Sequence, residues 1–263
     1  MEASIDVDFA KFDAALSATL AASKREPMIV IREQAKGVVR RLVDITPPAH
    51  EGVRGIEARR HGEALVESNI RGIYGTPDQA MELIKAGSSP DDGMAKGYWR
   101  HLKRGEFEDA AVILRAVTGR GLAPFDGGKQ HQALKRGRAR PRNKGILYYV
   151  TDPKQLDAYI SEIKGRVGWL AAGWNQAAAS LGVQPPQWIW RHNAPGKVII
   201  RETDARFEVL MTNEVKYARE AADLQRRLQW AVDQQAAAME RRTANMLEQI
   251  LKRAGFVVSG VLG

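Results

Sequence analysis

The run KVIIRETDARFEVLMTN, Lys197–Asn213, followed by YAREAADLQRRLQWAVDQQAAAMERRTANMLEQILKRA, Tyr217–Ala254, decides how the chain is read. The first run holds two β-branched or aromatic segments around a polar break at Asp204 and Ala205, the pattern of a hairpin from about Val198 to Asn213. The break has no Asn-Gly or Asp-Gly pair, so the turn type stays open. The second run has no Gly or Pro before Gly255 and is dominated by Ala, Leu, Gln, Glu and Arg. Such a sequence sustains a single helix of about 38 residues, about 57 Å long.

Along that helix Tyr217, Ala221, Leu224, Leu228, Ala231, Met239, Met246 and Ile250 recur at spacings of three and four and form one stripe. Gln235 and Arg242 interrupt it, which argues against a clean coiled-coil seam. The pattern predicts a helix packed on its own sheet in its first half and meeting other chains in its second. The pairs Arg226–Arg227 and Arg241–Arg242 flank the stripe, as subunit contacts or as an ordinary solvated face.

With 263 residues and 44% apolar content, the chain can bury one large core or two small ones. A formal charge of +9 suits an acidic partner, nucleic acid or solubility alone. The absence of cysteine removes disulfides, thiolate metal sites and a cysteine nucleophile, and fits assembly in a reducing cytoplasm. The acidic start MEASIDVDFAKF lacks a leader pattern and no stretch reaches the apolar length of a membrane span, so an unsecreted soluble chain with no membrane partner is expected.

Ahead of the hairpin the chain reads as helical. Residues 5–22 carry Phe9, Phe12, Leu16 and Leu20 on one side. Pro27 opens a second helix with Ile31, Ala35, Val38, Val39 and Leu42 on a face, ending before Thr46-Pro47-Pro48. A third spans Ile56 to Ile73, and two short helices, TPDQAMELIKAG and FEDAAVILRAVTG, lie between Thr76 and Arg120. Residues 121–145 read as loop. Thr151-Asp152-Pro153 starts a helix to about Lys164, and another runs from Val167 to Leu181, with Trp174 in the core and Gly173 leaving a gap for another backbone. The fold class expected is α+β, mostly helical, with a small antiparallel sheet packed against the long C-terminal helix. Its parts are an N-terminal helical part over 1–75, an inserted helical segment over 76–145 carrying the basic loop 121–145, and 146–263 completing the core.

Catalytic patterns fail in turn. A phosphate loop needs G-x-x-x-x-G-K-[ST]; here Gly128-Lys129 is followed by Gln130, and Ala123 stands where the first glycine belongs. His50, His61, His101, His131 and His192 are scattered without zinc-ligand spacing, and no G-x-S-x-G elbow occurs. Asp204 with Glu214 and Lys216 resembles the acid-then-E-x-K set of metal nucleases, but the turn and the strand end lie about 30 Å apart when extended. No enzyme, metal or cofactor is expected.

The densest charge lies in Lys129, Lys135, Arg136, Arg138, Arg140, Arg142 and Lys144, with no acidic residue between Lys129 and Lys144. Such a segment can bind phosphates with a steep salt dependence, dock on an acidic protein surface, or remain solvated. It contains no aromatic residue, which argues against base stacking.

The order of RVGWLAAGWNQAA (Arg166–Ala178), PPQWIWRHNAPG (Pro185–Gly196) and VLMTNEVKYA (Val209–Ala218) before a long terminal helix resembles the tail-completion, or minor tail protein Z-like, family of long-tailed bacteriophages. Asn213, Val215, Tyr217 and Ala218 match the family's strand-ending motif, and REQAKGVVRRLVDITPP (Arg32–Pro48) is similar to its helix leading into Thr-Pro. The chain departs where REAADLQRRL replaces the family's Glu and Gly after Tyr-Ala, and in residues 76–145. The resemblance implies a virion structural protein of the neck, assembled in the host cytoplasm. It further implies a homo-oligomeric ring, expected to have six subunits, between the head connector or stopper and the tail terminator or tail tube, with genomic DNA passing through the lumen. Trp169, Trp188, Tyr217 and the arginine pairs Arg226, Arg227, Arg241 and Arg242 are the expected subunit contacts. A nonspecific DNA-binding protein acting through residues 129–144 is the alternative.

Overall fold

The computed structural model describes residues 8–23, 26–50, 52–89, 93–135, 145–203, 206–216 and 224–253. The chain divides into one unit of residues 1–60 with 168–263 and a second of residues 61–167. The fold is α+β and mostly helical.

The first unit contains α1 (Ala10–Ser23), α2 (Pro27–Ile45), the start of α3 (Gly55–Arg71), α9 (Trp169–Ala172), α10 (Asn175–Ser180), α11 (Gln187–Trp190), the hairpin β4 (Gly196–Thr203) with β5 (Arg206–Asn213), and α12 (Leu224–Arg253). Pro27 opens α2, whose Val30, Gln34, Ala35, Val38, Val39, Leu42, Val43 and Ile45 are buried. That spacing of three and four gives a helix one continuous inner face. On α12 the buried set is Leu224, Ala231, Val232, Gln235, Ala236, Met239 and Thr243. The described helix has 30 residues, about 45 Å; Tyr217–Asp223 and Ala254 of the expected rod lie outside the described residues.

Neighbouring helices cover α12. α1 runs parallel to it, with the Asp8 backbone N–H on Gln229 Oε1 at 2.7 Å and the Thr19 and Thr243 hydroxyls 2.9 Å apart. α2 runs antiparallel. Gln235 Nε2 donates to Gln34 Oε1 at 2.7 Å, Arg41 Nε donates to Gln235 Oε1 at 3.0 Å, and Arg227 Nη1 donates to the Ile45 carbonyl at 2.7 Å. Gln235 therefore does not break the inner stripe, as its polarity suggested; it is 4% exposed, with both ends of its amide hydrogen-bonded. Beyond Thr243 no residue of the helix is buried.

The hairpin has the expected place and register, from Gly196↔Asn213 to Thr203↔Arg206. Its turn residues Asp204 and Ala205 lie outside the described residues. β4 packs on α10 and β5 on α2. The helix expected over Val167–Leu181 is two short ones, broken around Gly173. The break lets β4 in: a side chain on Gly196 would fall on the Gly173 carbonyl, and one on Gly173 would meet the Asn213 amide. Asn213 Nδ2 donates to the Leu170 carbonyl at 2.8 Å and locks the approach.

The second unit holds the rest of α3, β1 (Tyr74–Gly75), α4 (Pro77–Gly87), α5 (Met94–Arg104), α6 (Phe107–Thr118), β2 (Gly121–Ala123), α7 (Lys129–Lys135), β3 (Tyr148–Val150) and α8 (Pro153–Gly165). Its three-stranded sheet is parallel, with β3 between β1 and β2. Alternation along β3 feeds two cores. Tyr149 joins Ala80, Ile84, Tyr98, Ala110 and Leu114, whereas Val150 joins Ile70, Ile73, Tyr74, Leu156, Tyr159 and Ile160. This pairing sets the limits of the unit. β1 and β3 come from either side of the expected insertion 76–145, so residues 61–75 and 146–167 fold with it.

Candidate functional site

The expected basic loop 121–145 begins as strand β2, and its charged stretch from Lys129 begins as helix α7. Asp126 accepts the backbone N–H groups of Gly128, Lys129 and Gln130 at 2.8, 3.0 and 3.1 Å, placing a carboxylate at the start of α7. The same carboxylate receives the Tyr74 hydroxyl at 2.8 Å, and buried His131 places Nδ1 2.9 Å from the Tyr159 hydroxyl. Burial raises the Tyr74, Tyr148 and Tyr159 hydroxyls, Tyr148 to about 12, so these phenols stay protonated; Tyr74 donates to Asp126, and the Tyr148 hydroxyl receives the Asp126 backbone N–H at 3.3 Å. Lys129 is exposed on this anchored helix and Lys135 is its last residue. Arg136, Arg138, Arg140, Arg142 and Lys144 lie outside the described residues.

The expected subunit contacts divide. Trp169 is 41% exposed, with its ring edge-on to His192 at 5.8 Å. Trp188 lies inside instead, 6% exposed, packed against the Gly168 backbone. Two residues along a helix turn a side chain by about 200°. Trp190, which the sequence reading passed over, is accordingly the half-exposed indole of α11. Tyr217 lies outside the described residues. Arg241 and Arg242 are exposed, whereas Arg227 is half-buried and donates from Nη1 to the Ile45 and Ala49 carbonyls at 2.7 and 2.6 Å. Those carbonyls face the C-terminal end of α2, where a guanidinium satisfies groups that no further helix turn can reach.

Arg226 and Arg227 also line a cleft of about 460 Å³ with Ile45, His50, Arg54 and Trp230. The turn after α2 positions His50 and Arg54. Thr46 receives the Trp174 indole N–H at 3.0 Å, and His50 and Val53 exchange backbone hydrogen bonds at 3.0 and 3.2 Å. The Arg54 guanidinium sits 5.6 Å above the Trp230 ring. None of these six residues is acidic. Burial, then the guanidinia of Arg241, Arg54 and Arg242, lower the Arg41 pKa, and Asp44 opposes them. Burial raises the Asp44 carboxyl, while Arg54 and Arg41 pull it down.

A smaller cluster closes the turn between α5 and α6. His101 Nδ1 lies 2.6 Å from Glu106 Oε2 and 3.8 Å from Asp109 Oδ2. The three ligand atoms lie within 4.8 Å of one another. They can hold a divalent cation or serve as a charged pair across the turn. The sequence search missed it because the set spans two helices joined at Gly105, outside any single-helix histidine spacing.

No described helix is long and apolar enough to cross a membrane. Comparison with protein-family models, with curated proteins and with solved structures found no significant match.

Proposed function

We propose that this chain is a structural subunit of a tailed-phage neck, acting by assembly rather than catalysis. The observation that carries the reading is the uncovered end of α12. Past Thr243 the helix continues for ten residues, about 15 Å, and presents Leu247, Ile250 and Leu251 at 48, 48 and 42% exposure. Apolar residues grouped at the end of a helix mark a contact surface more often than scattered ones do. The occupant proposed is a second copy of the chain, repeated into a closed ring whose neighbours are the head connector and tail tube and whose lumen passes DNA. Support comes from the motif order in 166–218, from the hairpin leading toward the long helix, and from the half-exposed indoles Trp169 and Trp190.

Light scattering and electron microscopy of the purified chain test this. Rings are expected, and Leu247→Lys with Ile250→Lys should dissociate them while leaving helix content unchanged. A chain that stays monomeric at tens of micromolar and is missing from intact particles overturns the proposal. The second reading, DNA binding through 129–144, draws on exposed Lys129 at the head of the basic segment. It predicts that DNA retention is lost when Arg136, Arg138, Arg140 and Arg142 are replaced.

A further inference from the structure

We propose that the outer face of α5 is a contact for double-stranded DNA, made by Lys96, Arg100, Lys103 and Arg104 to the phosphate backbone. This contact is independent of the virion reading and of the basic segment 129–144. At about 100° of turn per residue the four side chains share an arc of about the same width, and Tyr98 points the opposite way. In the folded chain all four are exposed, whereas Tyr98 is fully buried and Ala95 and Leu102 turn into the same core. One face of α5 therefore seats the helix, and the other carries four positive charges along about 12 Å of its length.

A solvated helix ordinarily mixes its signs, as α4 and α8 do. In α4, Lys85 pairs with Glu82 at 2.7 Å; α8 alternates Lys154, Asp157, Glu162 and Lys164. α5 holds no carboxylate. Its dipole favours cations in the last turn, which accounts for Lys103 and Arg104. Lys96 and Arg100 lie ahead of that turn, and they set like charges four residues apart, Lys96 with Arg100 and Arg100 with Arg104, a spacing that destabilises a helix. Asp91 and Asp92, ahead of α5, lie outside the described residues, and it is the like charges gathered along the helix itself that ask for a polyanion.

Duplex DNA is the polyanion this face fits. It carries a charge about every 1.7 Å of its axis, so a line of cations meets phosphate along its whole length. A folded protein would have to offer carboxylates at four set positions. Base stacking takes no part: Trp99 is partly buried, and Lys103 Nζ lies 5.5 Å from its ring centroid. Contacts confined to phosphates carry no sequence information, so the binding is blind to sequence.

The full-length chain is titrated with a fluorescent duplex of mixed sequence, by anisotropy, between about 50 and 200 mM salt. Glutamine is a good helix former, so K96Q/R100Q/K103Q/R104Q should keep the parent's circular dichroism. Its affinity should drop by about tenfold or more, and its salt slope should shrink by about three to four units. The charge-keeping set K96R/R100K/K103R/R104K should bind as the parent does. In the parent, bound duplex should shield Lys96 and Lys103 from acetylation and leave exposed Lys11 reactive. The variant R136Q/R138Q/R140Q/R142Q separates this face from the basic segment. Loss of binding in the α5 variant upholds the proposal whatever the segment variant does. Binding and slope unchanged in the α5 variant, a parent that fails to bind the duplex, or acetylation of Lys96 and Lys103 unaltered by it overturns the proposal.

Discussion

The two units tie their helices together with different chemistry. In the unit formed by residues 1–60 and 168–263, buried amides and hydroxyls link α12 to its neighbours, Gln34 to Gln235 and Thr19 to Thr243, set among small side chains such as Ala15 and Ala236 and joined by the guanidinia of Arg41 and Arg227. In the unit of residues 61–167 the interior is phenolic, with Tyr74, Tyr98 and Tyr149 fully buried, and the charged ties lie at the surface. Between α1, α2 and α12 small side chains leave room for short polar links, and the first unit buries its rings, Trp174 and Trp188, at α10 and α11. A small parallel sheet instead presents two faces that large rings can fill.

The sharpest way to break this contrast is a deletion in the phenolic core. Leu156 is fully buried among Ile70, Tyr74, Val150 and Tyr159. Leu156→Ala should cost about 2–5 kcal/mol, the usual penalty of lost burial plus a cavity. Hydrogen exchange should speed up across 61–167 and stay unchanged in α1, α2 and α12. If those helices exchange faster as well, the units unfold as one block and the distinction has no energetic content.

The opposite test removes an amide from the first unit. Gln235→Leu keeps roughly the same volume but strips partners from Gln34, which is buried, and from the partly buried Arg41 guanidinium. Stranding such groups costs about 1–3 kcal/mol. The double change Gln34→Leu with Gln235→Leu should recover part of that loss in chemical denaturation, since two apolar side chains leave one fewer stranded group. A Gln235→Leu variant as stable as the parent would mean that the amide link is decorative.

What the sequence disclosed was what neighbouring residues decide. Thr76-Pro77 starts α4 with a reciprocal pair, the Gln79 N–H on the Thr76 hydroxyl and the Thr76 N–H on Gln79 Oε1. Asp152 caps α8 through the Lys154 N–H. The hairpin was legible for the same reason, its strands being separated by only Asp204 and Ala205. The parallel sheet was not, because Gly121–Ala123 has no β-branched residue and becomes a strand only through pairing with Tyr148–Val150. Helix α5 was missed although Ala95, Tyr98 and Leu102 recur at helical spacing and turn into one core. The arginine cleft was invisible too: residues 45–54 and 226–230 meet only after folding, and the arginine pair had been read as a subunit contact or a solvated face.

The smallest effect is expected from the surface ties of the second unit. Glu67 on α3 receives Lys164 Nζ at 2.5 Å and Arg71 Nε at 2.9 Å, and Arg71 Nη2 reaches Asp157 at 3.0 Å. The bond from Lys164, then that from Arg71, holds the Glu67 carboxyl below its ordinary value, against a lesser upward push from burial. A carboxyl whose pKa is lower in the folded chain adds stability above its unfolded pKa, and that contribution disappears as pH falls through the folded value. Glu67→Gln should therefore cost less than about 1 kcal/mol at neutral pH, because water screens a pair with a third of its surface exposed. The gap between parent and variant should close on acidification from about pH 6 to pH 3. A gap that persists in acid would assign the effect to packing of the Glu67 stem, and the ion pairs would then contribute nothing to holding α3 against α8.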